Sequence, residues 1–171
     1  MFVLGIDPGL TRCGYGCLDW SGPNRVRPVS AGVIRTDATD ELPQRLAVMH
    51  HEISALIDEF APSVVAIERV LFQVNVSTAM AVGHASGVVM AAAAIAGCDV
   101  IQYSPNEIKL AVTGYGAADK QQVERMVRAQ LGIEHELKPV DAADAIAVAL
   151  CHTAIVGVPT PPAGRSARVT S

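Results

Sequence analysis

The sequence predicts an α/β protein with a mixed five-stranded sheet, three antiparallel strands then parallel strands, and helices on both faces. Strand-like segments at 2–6, 14–20 and 29–36, separated by turn residues, predict an antiparallel meander. Strand-like and helical segments then alternate, which is typical of parallel strands joined by helices. With 171 residues, half of them hydrophobic, the chain suits one domain that buries its own core.

The meander begins with Phe2 to Ile6, and its turns are Asp7-Pro8-Gly9 and residues 21–24. Residues 37–40 supply capping candidates for an amphipathic helix, whose apolar side chains recur at helical spacing up to Phe60. Pro62 ends that helix. Residues 64–67 then form an apolar run that ends in Glu68, which predicts a buried strand with a carboxylate at its end.

Residues 79–96 form an apolar run almost without charge, long enough to raise the question of a membrane span. The run consists mostly of Ala, Gly and Val, contains His84, and leads through Gly97 directly into another strand pattern. We therefore expect a buried helix that packs closely through small residues, and no contact with a membrane.

The last elements are a strand at 99–103, a short helix and two longer helices. Ser104-Pro105-Asn106-Glu107 has capping-box spacing with proline at the first helical position, and Gly132 ends the next helix. The final helix is expected from about Ala142 to Ile155. We expect one domain over 1–156 and a disordered tail over 157–171, which is rich in Pro, Gly, Ser and Arg.

Composition limits the classes of function. The formal net charge of −4 has the wrong sign for a protein that binds DNA by bulk electrostatics, unless divalent cations neutralise some of its acids. The four cysteines form neither a CxxC pair nor finger spacing, which disfavours zinc and a disulfide framework. The strand-like start lacks the pattern of a signal peptide, so we expect a cytoplasmic protein.

Four acids are candidates for the functional site. Asp7 follows the first strand and Glu68 ends the fourth, so two neighbouring strands would bring both carboxylates to one sheet edge. Asp141 and Asp144 are spaced i, i+3 at a helix start and point to one face. Each also has a structural interpretation: Asp7 as a turn former, Asp141 as an N-cap and Asp144 as an anion in a first helical turn.

Four clustered carboxylates repel each other, and divalent cations relieve that repulsion. Oxygen ligands without histidine or thiolate favour Mg²⁺, with Mn²⁺ as a substitute. Two such ions, about 4 Å apart, suit in-line phosphoryl displacement, so hydrolysis of a nucleic-acid backbone is the matching reaction.

Three segments that contain these acids resemble the RuvC resolvases of the ribonuclease H-like superfamily. They are Gly5-Ile6-Asp7-Pro8-Gly9, Ala66-Ile67-Glu68-Arg69-Val70 and Asp141-Ala142-Ala143-Asp144-Ala145. Residues 83–87, 105–109 and 118–120 resemble the remaining signature stretches of that family, in the same order along the chain.

The resemblance implies a homodimer that makes paired nicks in a four-way DNA (Holliday) junction, with Asp7, Glu68, Asp141 and Asp144 in each active site. It also implies a partnership with a branch-migration motor. Lys109 and Lys120 match residues that meet the DNA backbone, and Arg69 would lie beside them. The family inserts an aromatic ring just after the glutamate; here Leu71 occupies that position and the ring follows at Phe72, so either residue is a candidate wedge.

Two other classes of protein remain possible from the sequence. The segment 5–11 also resembles the first phosphate loop of sugar kinases and actin-like ATPases, but those proteins need a second similar domain, for which this chain has no room. A junction-binding module without catalysis is the other class, and the presence of all four acids disfavours it.

Overall fold

The structure is a computed structural model that describes residues 1–22, 25–69 and 76–157. Its elements, in chain order, are β1 (Phe2–Asp7), β2 (Arg12–Trp20), β3 (Val26–Arg35), α1 (Leu42–Phe60), β4 (Val64–Glu68), α2 (Val76–Ile95), β5 (Asp99–Tyr103), α3 (Pro105–Thr113), α4 (Lys120–Leu131) and α5 (Val140–Val156).

In the described residues one five-stranded sheet has the order β3-β2-β1-β4-β5. The pairs β3–β2 and β2–β1 are antiparallel, whereas β1–β4 and β4–β5 are parallel. The predicted mixed sheet is therefore confirmed. The central strand β1 has one antiparallel and one parallel neighbour, which places the end of β1 beside the end of β4.

Helices cover both faces of the sheet because side chains alternate along its strands. Val3 and Ala66 face the layer made by α3, α4 and α5. Leu4 and Val65, each the chain neighbour of one of these residues, face the layer made by α1 and α2. The sheet is thus the middle of three layers, with a hydrophobic core on each side.

Helix α5 lies unusually close to the sheet because three strand residues facing it are glycines. A Cβ added to Gly5 would lie 2.2 Å from the Ala145 carbonyl oxygen, and one added to Gly14 would lie 2.0 Å from that of Asp141. A Cβ on Gly16 would lie 2.6 Å from Ile146 Cγ1. These distances leave no room for a side chain, so the glycines determine how closely α5 packs on the sheet.

Two expected helix starts differ from the structure. Helix α1 begins after Glu41 rather than after a cap among residues 37–40, because Asp37 accepts hydrogen bonds from the amide and hydroxyl of Thr39 in a local turn. Helix α5 begins at Val140 after Pro139, so Asp141 is its second residue and the N-cap interpretation of Asp141 is wrong. The capping box of Ser104 and Glu107 is confirmed.

The prediction that the alanine-rich helix is buried holds for only one of its faces. In the described part of the chain, α2 is the one helix long and apolar enough to cross a membrane, a test that core helices also pass. Ala85 and Val89 are buried against the sheet, whereas Val76, Met80 and Ile95 are 76%, 58% and 82% exposed. The second face of α2 is therefore apolar and open to solvent.

Candidate active site

The carboxyl ends of β1 and β4 bring the first two predicted acids together. In the parallel ladder Ile6 is opposite Ile67, so Asp7 and Glu68, the next residues, end their strands at the same level. Both side chains line one cleft of about 150 Å³. The prediction that neighbouring strands join these two carboxylates is confirmed.

Helix α5 supplies the other two acids, and they have different surroundings. Asp144 lines the cleft together with Asp7 and Glu68. Asp141, one turn earlier, turns to Arg12 at the start of β2, whose Nε lies 2.8 Å from Asp141 Oδ2 and whose Nη2 contacts the same oxygen. Three of the four predicted acids thus share the cleft, and the fourth is paired at its edge.

The cleft is completed by α3 and α4. Its apolar wall is formed by Pro105, Ile108, Val123 and Ala147, and its two cations are Lys109 and Lys120. The Nζ of Lys120 lies 2.8 Å from Asp144 Oδ2. Lys120 begins α4 directly after Asp119, whose capping box with Gln122 fixes the start of the helix and therefore the place of the lysine.

Burial and mutual repulsion change the acidity of the two strand-end carboxyls. The pKa of Asp7 is raised to about 7, first by burial and then by the charges of Glu68 and Asp144, against the smaller opposing effect of Lys120. Burial, and then the charge of Asp144, also raises the pKa of Glu68, against the opposing effect of Lys120 and Lys109. The cleft therefore has more negative charge than its lysines balance.

The donor set of the cleft fits a hard divalent cation. Among residues 1–22, 25–69 and 76–157, no three Asp, Glu, His or Cys side chains already converge as ligands. The three acids in the cleft are nevertheless oxygen donors, and a divalent cation would offset the burial and repulsion that disfavour the charged forms of Asp7 and Glu68. The cleft therefore has the oxygen-donor chemistry that hard divalent cations prefer.

The other predicted DNA contacts are less well defined. Arg69 is exposed at the end of β4, where its amide donates to the Tyr103 carbonyl oxygen at 2.7 Å and its Nη2 lies 3.4 Å from that of Gln102. It flanks Glu68 on the same rim. Leu71 and Phe72 lie outside the described residues, so their assignment stays a prediction.

Sequence reasoning missed two features of the site. It gave no role to Arg12, whose partner is 129 residues away in the chain. It also missed the three glycines under α5, although glycines within strand patterns are a usual signal of close backbone approach.

Comparisons with known proteins find one family. The family model described as "Crossover junction endodeoxyribonuclease RuvC" matches residues 3–152. A protein of that name from Desulfitobacterium hafniense is 49% identical over 152 residues, which cover 89% of this chain and 92% of the relative. The chain belongs to the RuvC family of crossover junction endodeoxyribonucleases.

Solved RuvC structures have the same fold. The Thermus thermophilus RuvC structure superposes with a TM-score of 0.85 at 35% identity, covering 91% of this chain and 95% of the other. A structure of the same protein "in complex with Holliday junction substrate" gives a TM-score of 0.87 at 35% identity, covering 91% and 94%. The ribonuclease H-like fold of this RuvC-family chain is therefore confirmed, and the kinase-like interpretation of segment 5–11 is set aside.

Proposed function

We propose that this RuvC-family chain resolves four-way DNA junctions by hydrolysing phosphodiester bonds with Mg²⁺ bound to Asp7, Glu68, Asp141 and Asp144. The single observation that carries the proposal is the cleft in which Asp7, Glu68 and Asp144 meet from three separate elements, with Asp141 at its edge. The T. thermophilus relative forms a complex with a Holliday junction substrate, and the same substrate is proposed here.

The roles of the side chains follow from where they lie. The strand-end acids Asp7 and Glu68 are fixed by the sheet, so they would hold cations at a constant position relative to the DNA. Asp144 and Asp141 would complete the ligand set from α5. Two divalent ions bound there would supply a nucleophilic water at neutral pH and balance charge on the attacking and leaving oxygens. Mn²⁺, which also prefers oxygen ligands, would substitute for Mg²⁺.

Basic residues around the cleft would position the DNA. Lys109 and Lys120 line the same cleft as the acids, so their ammonium groups would lie near the phosphate to be cut. Arg69 extends the positive charge along the rim. Together with bound divalent cations, these basic residues would offset the net charge of −4 where the phosphate binds, because phosphate contacts depend on charge at the site.

The chain is proposed to act as a homodimer through the exposed α2 stripe. We define this stripe as Val76, Met80, Gly83, Gly87, Ala91 and Ile95, residues three or four apart on the open face of the helix. A Cβ added at Gly83 or Gly87 would meet open space, so the fold itself has no need of glycine there. Small residues on an apolar helix face suit the close approach of an identical helix across a two-fold axis.

The remaining parts of the proposal rest on family resemblance. A two-fold dimer would place one active site on each of two symmetry-related strands of a junction, which gives paired nicks. A branch-migration motor as a partner, a role in recombination and repair, and a cytoplasmic location are proposed with it. Either Leu71 or Phe72 would enter the junction centre.

The test is cleavage of labelled four-way junctions and matched linear duplex by the purified chain, with Mg²⁺ and with excess chelator. Paired nicks in the junction alone, and only with the metal, are expected. Asp7→Asn should reduce cleavage by several orders of magnitude while leaving junction binding largely intact. Full cutting in chelator would contradict the metal requirement, and undiminished cleavage by Asp7→Asn would contradict the site.

A further inference from the structure

Arg12 is a cation of the site to which neither the sequence pattern nor the proposed chemistry assigns a role. It is the first residue of β2, and its guanidinium binds Oδ2 of Asp141 through both Nε, at 2.8 Å, and Nη2. The proposed function requires the Asp141 carboxylate to bind a metal ion. In the structure, this carboxylate binds Arg12 instead.

The other acid of α5 is also paired with a cation. Lys120 binds Asp144 at 2.8 Å, so each of the two acids of α5 is held by one cation of the chain. The two pairs differ in place: Lys120 and Asp144 line the cleft, whereas Arg12 turns Asp141 toward the start of β2. Arg12 thus holds one of the four acids at the edge of the cleft.

We propose that Arg12 is a built-in counter-ion of Asp141 that a divalent cation must displace, so that Arg12 sets the affinity of the metal site. The inference rests on the proposed function, because it takes Asp141 as a metal ligand. It assigns to Arg12 a positioning role, since the residue acts through Asp141.

The two cations compete because both would bind the carboxylate of Asp141, whose Oδ2 Arg12 already occupies. A guanidinium in contact with Oδ2 and a divalent ion on the same carboxylate would repel each other at close range. The Arg12 side chain is 40% exposed and that of Asp141 is 29% exposed, so the guanidinium can swing into water with little loss of stability. The exchange is therefore reversible, and its balance depends on the strength of the Arg12 contact.

Two further arginines lie near Arg12. Arg35 is its register partner in the β2–β3 ladder, and Arg45 donates to Thr11 Oγ1 at 2.7 Å. Asp141 is the carboxylate that Arg12 contacts, so a guanidinium released by the metal would move into solvent or toward a DNA phosphate.

The experiment is calorimetric titration of the full-length protein, free of DNA, with Ca²⁺ and separately with Mg²⁺. Arg12→Gln is expected to bind each ion about three- to tenfold more tightly than the wild type, since it removes a weak competing ion pair. Arg12→Lys, which keeps the charge but loses the two-donor contact, should give an intermediate affinity. Thermal melts of the metal-free variants verify that each is folded.

Arg35→Gln is the matched control, because it removes one positive charge at the paired position of the neighbouring strand and leaves the Arg12–Asp141 contact in place. Its affinity should stay near that of the wild type. If Arg35→Gln and Arg12→Gln raised the metal affinity equally, the proposal would be overturned, because the loss of any one positive charge would then explain the result.

A double-mutant cycle with Asp141→Asn completes the test. The gain in metal affinity from Arg12→Gln should disappear in the Asp141→Asn background. A gain in affinity that persists there would overturn the proposal. Equal affinities of wild type and Arg12→Gln would refute the exchange alone. Lack of saturable binding by the wild type would instead refute the metal site of the proposed function, and the exchange with it.

Discussion

At the scale of single residues, Asp7 is the group whose chemistry depends most on the fold. Its pKa is raised from an ordinary value of 3.8 to about 7, first by burial and then by Glu68 and Asp144. A carboxyl with a raised pKa binds its proton more tightly in the folded chain than in the unfolded chain. The free energy of unfolding therefore falls as pH rises through this interval, and the loss is complete above about pH 7.

Asp7→Asn should for this reason stabilise the metal-free protein at pH 8, by on the order of 2 kcal/mol. The gain should shrink on acidification and become small near pH 4, close to the ordinary pKa of 3.8, where Asp7 is protonated in the folded chain and about half protonated in the unfolded chain. Urea unfolding of the wild type and of Asp7→Asn in excess chelator, from pH 4 to pH 8, measures this difference in the free energy of unfolding. Asp40→Asn, in an exposed turn, controls for the loss of one charge. A stability difference that does not vary with pH would contradict the assignment.

Lys120 is the residue through which the cleft would contact DNA. Its side chain is 76% exposed, and the hydrogen bond to Asp144 raises its pKa, so it stays charged. Lys120→Ala should weaken junction binding and lower the slope of log affinity against log salt by about 1.

Binding isotherms at several salt concentrations in Ca²⁺ give that slope. Arg27→Ala is the control, because Arg27 pairs with Asp19 at the opposite end of the sheet from Asp7. Equal slopes for wild type and Lys120→Ala would argue against a phosphate contact at this position.

At the scale of elements, the position of α5 decides the site. The helix supplies Asp141 and Asp144, and its first turn lies against Gly14, where a Cβ would be 2.0 Å from the Asp141 carbonyl oxygen. The clash is with backbone, so the helix would have to shift as a whole. A shift of this kind would move both acids away from Asp7 and Glu68, which belong to the sheet.

Gly14→Ala should therefore lower the free energy of unfolding by about 2 kcal/mol or more and reduce cleavage beyond the effect of lost stability. The control is Gly116→Ala, since a Cβ there would lie 3.8 Å from the Asn106 carbonyl oxygen, an ordinary contact. Denaturant unfolding and junction cleavage at a temperature where both variants are folded measure the two effects. Wild-type activity of Gly14→Ala would show that α5 does not set the site.

At the scale of the whole molecule, the open face of α2 is the feature that the single chain leaves unexplained. Its exposed apolar side chains lie on the outer side of the helix layer, opposite the buried face that packs on the sheet. An apolar stripe of this length is typical of a face covered by another protein surface. The proposed second copy would cover it and would couple two active sites in one particle.

Gly87→Glu should convert the dimer into a monomer, because it adds a long charged side chain at the centre of the exposed α2 stripe. The fold should be retained, since the added Cβ meets open space. Light scattering after gel filtration measures the mass, and a circular-dichroism melt verifies folding. Ala55→Glu, on the exposed side of α1, is the control. A folded dimer of Gly87→Glu, or a monomeric wild type, would refute the proposed interface.

The sequence by itself determined the order and type of the elements, because the spacing of apolar residues and the capping and turn residues are local signals. It also placed Asp7 and Glu68 at strand ends, since each follows a short apolar run directly. Only the tertiary structure decided that Asp141 pairs with Arg12, that glycines of β1 and β2 bring α5 onto the sheet, and that one face of α2 stays open. These features depend on contacts between residues far apart in the chain, and local periodicity carries no information about them.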